Sequence, residues 1–309
     1  MTVLQKTIKN EISCVGIGLH SGAKVKLTLK PAAIDAGITF KRTDISGASA
    51  TIAAHYDNVV DTRLCTCISD GKGHNISTIE HLMSALHGLG ITNLNIEITG
   101  EEMPILDGSS ADFVFLLHCA GIVEQQALAK MIRVKKPVTV KDGDAFITLL
   151  PARDNFGIDF TLDYAHCPTI GKDSLDFSLN CAAYENEIAP ARTFGLAKEI
   201  EQIRNMGLAK GGSLKNVLIA TNEGVMNPEG LRMKGEFVRH KVLDAIGDMY
   251  LAGHAIEGQI IASKSGHRLN NLLLKELFKN KANYEIVNST LEDSFAPAKE
   301  WTESVAVGS

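Results

Sequence analysis

The chain has 309 residues, 45% of them hydrophobic and 22% charged, which is the composition of a globular protein long enough to form two domains. Its formal net charge is −5 and its pI is near 6.1. These values argue against a protein whose main role is to coat nucleic acid or an anionic membrane, because both roles need a concentrated basic face.

The N-terminus, the longest apolar stretch and the cysteines indicate the cellular compartment. Residues 1–7 lack the order of segments in a secretory signal. Residues 114–123, interrupted by His118, are fewer than the roughly 20 apolar residues that cross a bilayer. The six cysteines follow no repeating interval, which favours unpaired thiols in a reducing compartment. We expect a cytoplasmic monomer with no nucleic-acid partner and no integral membrane association.

The first half of the chain predicts strands followed by a helix. Strand-like runs at residues 24–29 and 38–41 alternate with glycine-containing turns. Ser77 and Glu80 have the spacing of a capping box, and apolar residues then recur at helical spacing until Gly88. Three more elements follow: a strand at 93–98, a turn at 106–109 and an apolar helix through residue 117.

The second half repeats this order after a polar stretch at about residues 125–130. Its predicted elements are strands beginning at 132–134, then at 145–150, 157–162 and 258–262, helices at 236–251 and 272–278, and a loop at 265–267. Each half has a histidine early in its strongest helix, His81 in one and His240 in the other, which indicates an internal duplication.

We therefore predict an α+β fold of two similar domains, each a β-sheet layered with helices, with the helices packed between the two sheets as a duplicated two-layer sandwich. The predicted domains are residues 1–127 and 128–295, and residues 296–309 are predicted to be a flexible tail.

The helix at 236–251 has a polar face with metal-binding side chains. His240, Asp244 and Asp248 are spaced by four residues and lie opposite an apolar stripe. A histidine and an aspartate one helical turn apart can supply two ligands of a tetrahedral zinc ion. The alternative is an ordinary solvated face, since exposed helix faces often carry such pairs.

His81, Glu80 and His267 each have a functional and an ordinary interpretation. His81 lies off the apolar stripe of its helix and could be a third ligand, and three protein ligands are typical of a catalytic zinc site. Glu80 could cap its own helix or take a proton from a metal-activated water. His267 could be an ordinary loop histidine, or a proton donor held charged by Asp248.

Two further segments also leave alternatives open. Cys65 and Cys67 are on the same side of a predicted strand, where packing is the simpler interpretation than metal binding. Residues 194–212 contain apolar residues at helical spacing before Gly211 and Gly212, a pattern that by itself favours an ordinary amphipathic helix.

Six separated motifs, at residues 16–22, 77–82, 105–109, 191–195, 237–244 and 264–267, closely resemble the UDP-3-O-acyl-N-acetylglucosamine deacetylase family, the zinc enzymes of lipid A biosynthesis. The motifs cover nearly the whole chain in the order of the family. The stretch between Tyr164 and Ala191 departs most from the family pattern.

The resemblance implies a hydrolase with one catalytic Zn²⁺ ion, which would be held by His81, His240 and Asp244. It implies that Glu80 is the general base and that Thr193 donates a hydrogen bond to the oxyanion. It also implies that His267, supported by Asp248, is the general acid.

The substrate implied by the resemblance is an acylated UDP-N-acetylglucosamine. The expected contacts to it are Lys241, Lys264, Asp163, Tyr164, Phe194, Ile200, Gly212 and Cys65. Among these, Lys241 and Lys264 resemble the phosphate contacts of the family. Asp163 and Tyr164 resemble its acidic-aromatic nucleotide pair, with tyrosine where phenylalanine is expected. Ile200 and Gly212 are expected to line a passage for the acyl chain.

Two rival hypotheses belong to other classes of protein. The chain could be a sugar-nucleotide binding module with a structural metal ion. It could also be a phosphotransferase, which Gly211, Gly212 and Ser213 suggest only weakly, because the sequence has no complete phosphate-binding loop motif.

Overall fold

The computed structural model describes residues 3–45, 51–152 and 156–289. The helices in this part of the chain are α1 (Glu80–Leu89), α2 (Ala111–Ala120), α3 (Cys181–Ala183), α4 (Ile200–Asn205), α5 (Glu236–Tyr250) and α6 (His267–Lys279). The strands of the first half are β1 (Leu4–Ile8), β2 (Ile12–Ile17), β3 (Lys24–Pro31), β4 (Ile38–Arg42), β5 (Thr51–Ala53), β6 (Val59–Asp61), β7 (Cys67–Ser69), β8 (Asn75–Ile76), β9 (Leu94–Ile98) and β10 (Ile122–Leu128). The remaining strands are β11 (Lys130–Val134), β12 (Val138–Asp142), β13 (Ala145–Leu150), β14 (Phe156–Tyr164), β15 (Gly171–Ser178), β16 (Phe194–Leu196), β17 (Leu218–Ala220), β18 (Ala255–Ser263) and β19 (Tyr284–Asn288).

Each half of the chain forms one large sheet. In the first half the strand order is β2-β3-β9-β4-β5, with β4 and β9 parallel and the other neighbours antiparallel. In the second half β12, β13, β18, β11 and β19 lie in that order, and the hairpin of β14 and β15 joins through β18. Leu94, Ile96 and Ile98 alternate with more exposed residues along β9, so one face of its sheet is apolar.

A buried helix pair connects the two halves. Helix α1 packs against α5, and all ten residues of α1 are buried. Gly247 allows this close approach, because a Cβ atom at that position would lie 2.1 Å from the carbonyl oxygen of Glu80. The start of α1 is thereby held beside the polar face of α5.

The other helices cover the sheets. Helix α2 contacts β2, α6 contacts β12 and β13, and α5 contacts β14, β15 and β18. Layers of helices against sheets confirm the predicted α+β class. The finer prediction of a duplicated sandwich, and the domain limits 1–127 and 128–295, stay predictions. The tail at 296–309 lies outside the described residues.

Most predicted elements are present, with small differences in their limits. The polar stretch at 125–130 is mostly strand β10, which pairs with β1. The following local predictions are wrong. The segment from 194 begins as strand β16, and its helix is only α4. His267 is the first residue of α6 and not a loop residue. No side chain caps the start of α1, since Glu80 accepts a hydrogen bond from the Thr66 amide instead.

None of the helices within the described residues has the length and apolarity needed to span a bilayer.

Candidate active site

Three potential metal ligands meet where α1 and α5 pack together. The ligand atoms of His81, His240 and Asp244 all lie within 4.8 Å of one another, and all three residues are buried. Oδ1 of Asp244 is 3.3 Å from Nε2 of His240 and 3.7 Å from Nε2 of His81. The polar face of α5 is therefore not solvated, because it is covered by α1.

Among the described residues, two polar atoms of this cluster have no hydrogen-bond partner. Oδ1 of Asp244 and Nδ1 of His81 are buried and accept or donate no hydrogen bond among the described residues. Leaving buried polar atoms unpaired costs about 1–3 kcal/mol each. A divalent cation would satisfy the carboxylate oxygen, and two imidazoles with one carboxylate are a donor set that zinc accepts. The residues present fit a zinc ion.

The protonation states also fit a cation. Burial lowers the pKa of His81 to about 3 and lowers that of His240 as well, so both imidazoles are neutral at pH 7. Burial by itself would raise the pKa of Asp244, but His240 and Lys241 outweigh it and the pKa is lowered. Nδ1 of His240 donates to the carbonyl oxygen of Ala191 at 3.0 Å, which leaves Nε2 free to bind a metal ion.

Glu80 lies next to the potential ligand His81 at the start of α1. It is 3% exposed, and its Oε2 accepts a 3.0 Å hydrogen bond from the backbone amide of Thr66. Burial raises the pKa of its carboxyl group to about 7, with Asp244 and Asp248 adding to the rise and His267 opposing it. A carboxyl group with this pKa can accept and release a proton near neutral pH.

His267 and Asp248 form a buried charged pair. Nδ1 of His267 donates to Oδ2 of Asp248 at 2.8 Å, and the same oxygen accepts from Nδ2 of Asn270 at 2.9 Å. Burial would lower the pKa of His267, but the charges of Asp248, Glu80 and Asp244 together raise it to about 9. The imidazole is therefore a cation at pH 7 and can donate a proton.

The segment before β16 is tied down by a buried ion pair, and it contacts a potential metal ligand and carries the predicted oxyanion donor. The Arg192 side chain is buried and forms an ion pair with Glu236 at 2.8 Å, and Glu236 also accepts the Arg192 amide at 3.1 Å. This segment supplies the Ala191 carbonyl that orients His240. The next residue, Thr193, donates its amide to Gly108 at 2.8 Å and lines the cavity described next.

An apolar cavity of about 360 Å³ opens beside this segment. Among its lining residues are the predicted contacts Thr193, Phe194, Ile200 and Gly212, together with Leu19 and His20. Leu64 lines the cavity, whereas its neighbour Cys65 does not and is buried near Glu80. The Phe194 ring packs edge-on against His240, with 6.1 Å between the ring centroids. The cavity therefore begins next to the proposed metal ligands.

Each side chain predicted to contact phosphate or nucleotide has a partner, either another residue of that set or a residue of the metal cluster or cavity. Lys241 contacts Oδ2 of Asp244 at 2.8 Å. Burial lowers its pKa, but the attraction of Asp244 outweighs burial and raises the pKa to about 12. Lys264 lies 3.2 Å from Asp163, and the Tyr164 ring packs against Phe194 at 5.7 Å. Of these residues, Tyr164 is the one that contacts the cavity wall, through the ring of Phe194.

Sequence reasoning missed Thr66, Asn270 and the ring of His20. Thr66 and Asn270 hold Asp248, and no motif or spacing indicates either contact because the partners are far apart in the chain or on another element. Both ring nitrogens of His20 are buried without a hydrogen-bond partner among the described residues. The one sequence feature that could have indicated a role for His20 is its position in the glycine-containing motif at 16–22.

Two buried imidazoles and a carboxylate, with a carboxylic acid and a charged histidine beside them, are together typical of a metal-dependent hydrolase. A family model described as LpxC, UDP-3-O-acyl N-acetylglycosamine deacetylase, matches residues 5–279. The chain belongs to this family of enzymes.

Individual relatives agree with this assignment. A UDP-3-O-acyl-N-acetylglucosamine deacetylase of Idiomarina loihiensis is 47% identical over 97% of this chain and 98% of its own length. Relatives with the same name from Teredinibacter turnerae and Saccharophagus degradans are each 48% identical over 94% of this chain, and over 96% and 95% of their own lengths. The similarity therefore extends over both halves of the fold.

Proposed function

We propose that this chain is a zinc-dependent amidohydrolase that removes the acetyl group from UDP-3-O-acyl-N-acetylglucosamine and releases acetate, the committed step toward lipid A. The strongest support is the buried cluster of His81, His240 and Asp244, whose ligand atoms lie within 4.8 Å of one another. Membership in the deacetylase family supports the substrate.

His81, His240 and Asp244 would hold one zinc ion. When bound, zinc would polarise the amide carbonyl and make water more acidic. The lowered pKa values of the two histidines keep their nitrogens available as ligands at neutral pH.

The proton transfers belong to Glu80 and His267. Glu80 removes a proton from the attacking water, whose oxygen becomes part of acetate. Thr193 donates a hydrogen bond to the carbonyl oxygen as it gains negative charge. His267, charged through its contact with Asp248, gives a proton to the sugar nitrogen as the carbon–nitrogen bond breaks. The products are acetate and the free amine.

The cavity is suited to the fatty acyl chain of the substrate. Its lining is mostly apolar, and Ile200, Gly212 and Phe194 contribute to it. We assign Lys241 and Lys264 to the phosphates, because both are cations close to the site. Asp163 and Tyr164 are assigned to the nucleotide, and Cys65, which follows the cavity-lining Leu64, to a further substrate contact.

The wider predictions are retained as proposals. Residues 1–127 and 128–295 are proposed as two similar domains, supported by a large sheet in each half and by the α1–α5 helix pair. A cytoplasmic location is supported by the six cysteines, all of which are free thiols. The monomeric state is proposed from the sequence and can be measured by sedimentation.

Acetate release from the acylated sugar nucleotide tests the proposal. The purified chain should release acetate, lose the activity with a chelator, and regain it with about one equivalent of Zn²⁺. UDP-N-acetylglucosamine without the acyl chain is the matched control and should react far more slowly. Tight binding without acetate release would instead favour the binding module, and ATP consumption would favour the phosphotransferase.

A further inference from the structure

A buried glutamate outside the reacting group holds one wall of the cavity. Glu102 is 4% exposed, and its two carboxylate oxygens accept the backbone amides of His20 at 2.6 Å and Ser21 at 2.7 Å. Within the described residues it has no lysine or arginine partner. The shortest hydrogen bonds of this carboxylate are therefore to the backbone of residues 20 and 21.

The same loop is bonded on its other side to the turn that ends at Gly212. The carbonyl oxygens of Leu19 and His20 accept the amides of Gly211 at 3.0 Å and Lys210 at 3.1 Å. The backbones are so close that a Cβ atom at Gly211 would lie 2.1 Å from the carbonyl oxygen of Gly18. Leu19, His20 and Gly212 all line the cavity.

Glu102 is also connected to the start of α1. The Thr78 hydroxyl donates to it at 3.3 Å, and the amide of Met103 donates to the Ser77 carbonyl at 3.0 Å. Thr78 lies two residues before Glu80. Glu102 thus contacts two parts of the site. On one side is the segment that leads into Glu80 and His81, and on the other is the loop that forms the cavity wall with Gly212.

We propose that Glu102 is a positioning residue that fixes the wall of the acyl passage relative to the reacting groups. The inference rests on the proposed function, since one substrate must place its acetamide at Glu80 and its acyl chain in the cavity at the same time. Glu102 itself does not touch the substrate. Its loss should therefore weaken the binding of long acyl chains and leave the chemistry on a short-chain substrate intact.

The test compares Glu102→Gln with Glu101→Gln on two substrates, one with a long 3-hydroxyacyl chain and one with a two-carbon acyl group. Glutamine keeps the size of Glu102 but can accept only one of the two amides, because its NH₂ group is a donor. The Glu101 side chain is 73% exposed, so its variant is the matched control and should resemble the parent chain.

We expect Glu102→Gln to raise KM for the long-chain substrate about tenfold, with kcat within about threefold of the parent, as for the loss of one charge-assisted contact. Both constants for the short-chain substrate should stay within about twofold. Equal losses on both substrates, or no loss on either, would overturn the positioning role.

A second variant covers the case in which Glu102→Gln does not fold. Gly211→Ala displaces the same loop from the opposite side, whereas in Gly100→Ala the new Cβ makes only an ordinary 3.4 Å contact with Val25. Gly211→Ala should show the same selective loss on the long chain, and the absence of selectivity would count against the inference.

If the parent chain hydrolyses neither substrate, the proposed function fails together with this inference. If the parent is active and the variants treat both substrates alike, only this inference fails.

Discussion

The Thr66 hydroxyl donates a 2.6 Å hydrogen bond to Oδ1 of Asp248, which is 182 positions further along the chain. The backbone amide of the same threonine donates to Glu80. Asp248 also binds His267. Thr66 thus holds both the proposed base, Glu80, and the partner of the proposed acid. Thr66 therefore links Glu80, through Asp248, to His267, which are the two groups proposed to transfer protons.

Thr66→Val should test this relationship, because valine has nearly the shape of threonine and lacks the hydroxyl. Losing a hydrogen bond to a charged group costs about 1.5–3 kcal/mol, so we expect kcat to fall by roughly one to two orders of magnitude. The zinc content should stay unchanged. Thr51→Val, at an exposed position of β5, is the control, and a similar fall in that variant would exclude a specific role for Thr66.

The proposed ligands were predictable because each depends on local spacing. His240 and Asp244 are one helical turn apart on α5, and the pattern of apolar residues around His81 placed it off the stripe of its own helix. Spacing could not predict that α1 and α5 pack face to face, since that contact depends on the missing side chain of Gly247. The resemblance to a family supplied the link between the two helices.

Other features of the site depend on tertiary contacts that leave no periodic signal. Glu80 has the sequence position of a helix cap, yet its carboxylate is turned to Thr66, which precedes β7. The helix expected after Phe194 is shortened because residues 194–196 pair with β17 as a parallel strand. In both cases a partner distant in sequence outweighs the local preference.

Glu80→Gln should separate proton transfer from metal binding. Glutamine preserves the shape and can still accept the Thr66 amide, but it cannot take a proton from water. We expect kcat to fall about 10²–10⁴-fold, while zinc measured by atomic absorption stays near the parent value. Near-parental turnover would rule out Glu80 as the base. Glu276→Gln, on the surface of α6, should leave both quantities unchanged.

His81→Ala should weaken metal binding itself. The variant loses one of the three proposed ligands, so zinc retained after dialysis against a mild chelator should fall well below that of the parent, and activity should fall with it. His118 provides the control, because its side chain is 49% exposed and pairs with Glu185 away from the cluster. Full zinc retention by His81→Ala would show that His81 is not a ligand.

The activity should decline at alkaline pH as His267 loses its proton. In the proposed mechanism His267 acts in its protonated form, and its pKa is raised to about 9. Activity should therefore be retained below that value and lost as the pH rises through it. Asp248→Asn removes the negative charge that contributes to the rise, so the alkaline limb of kcat should move down by roughly 1–3 pH units. An unchanged limb in that variant would assign it to another group.

The buried pair of Arg192 and Glu236 should contribute to stability as well as to the geometry of the site. Both side chains are almost fully buried, at 2% and 0% exposure. Removing one partner of a buried pair costs about 3–5 kcal/mol, and without the Glu236 charge the buried guanidinium keeps only the half-exposed carboxylate of Glu229. Glu236→Gln should lower the free energy of unfolding by about this amount in urea titrations.

Glu229 supplies the matched control for that measurement, because it contacts the same arginine but is 52% exposed. An exposed contact is screened by water, so Glu229→Gln should change the free energy of unfolding by no more than about 1 kcal/mol. Equal effects of the two variants would contradict the importance of burial. Since the Arg192 segment also carries the Ala191 carbonyl that orients His240, Glu236→Gln should also lower zinc affinity, and Glu229→Gln should not.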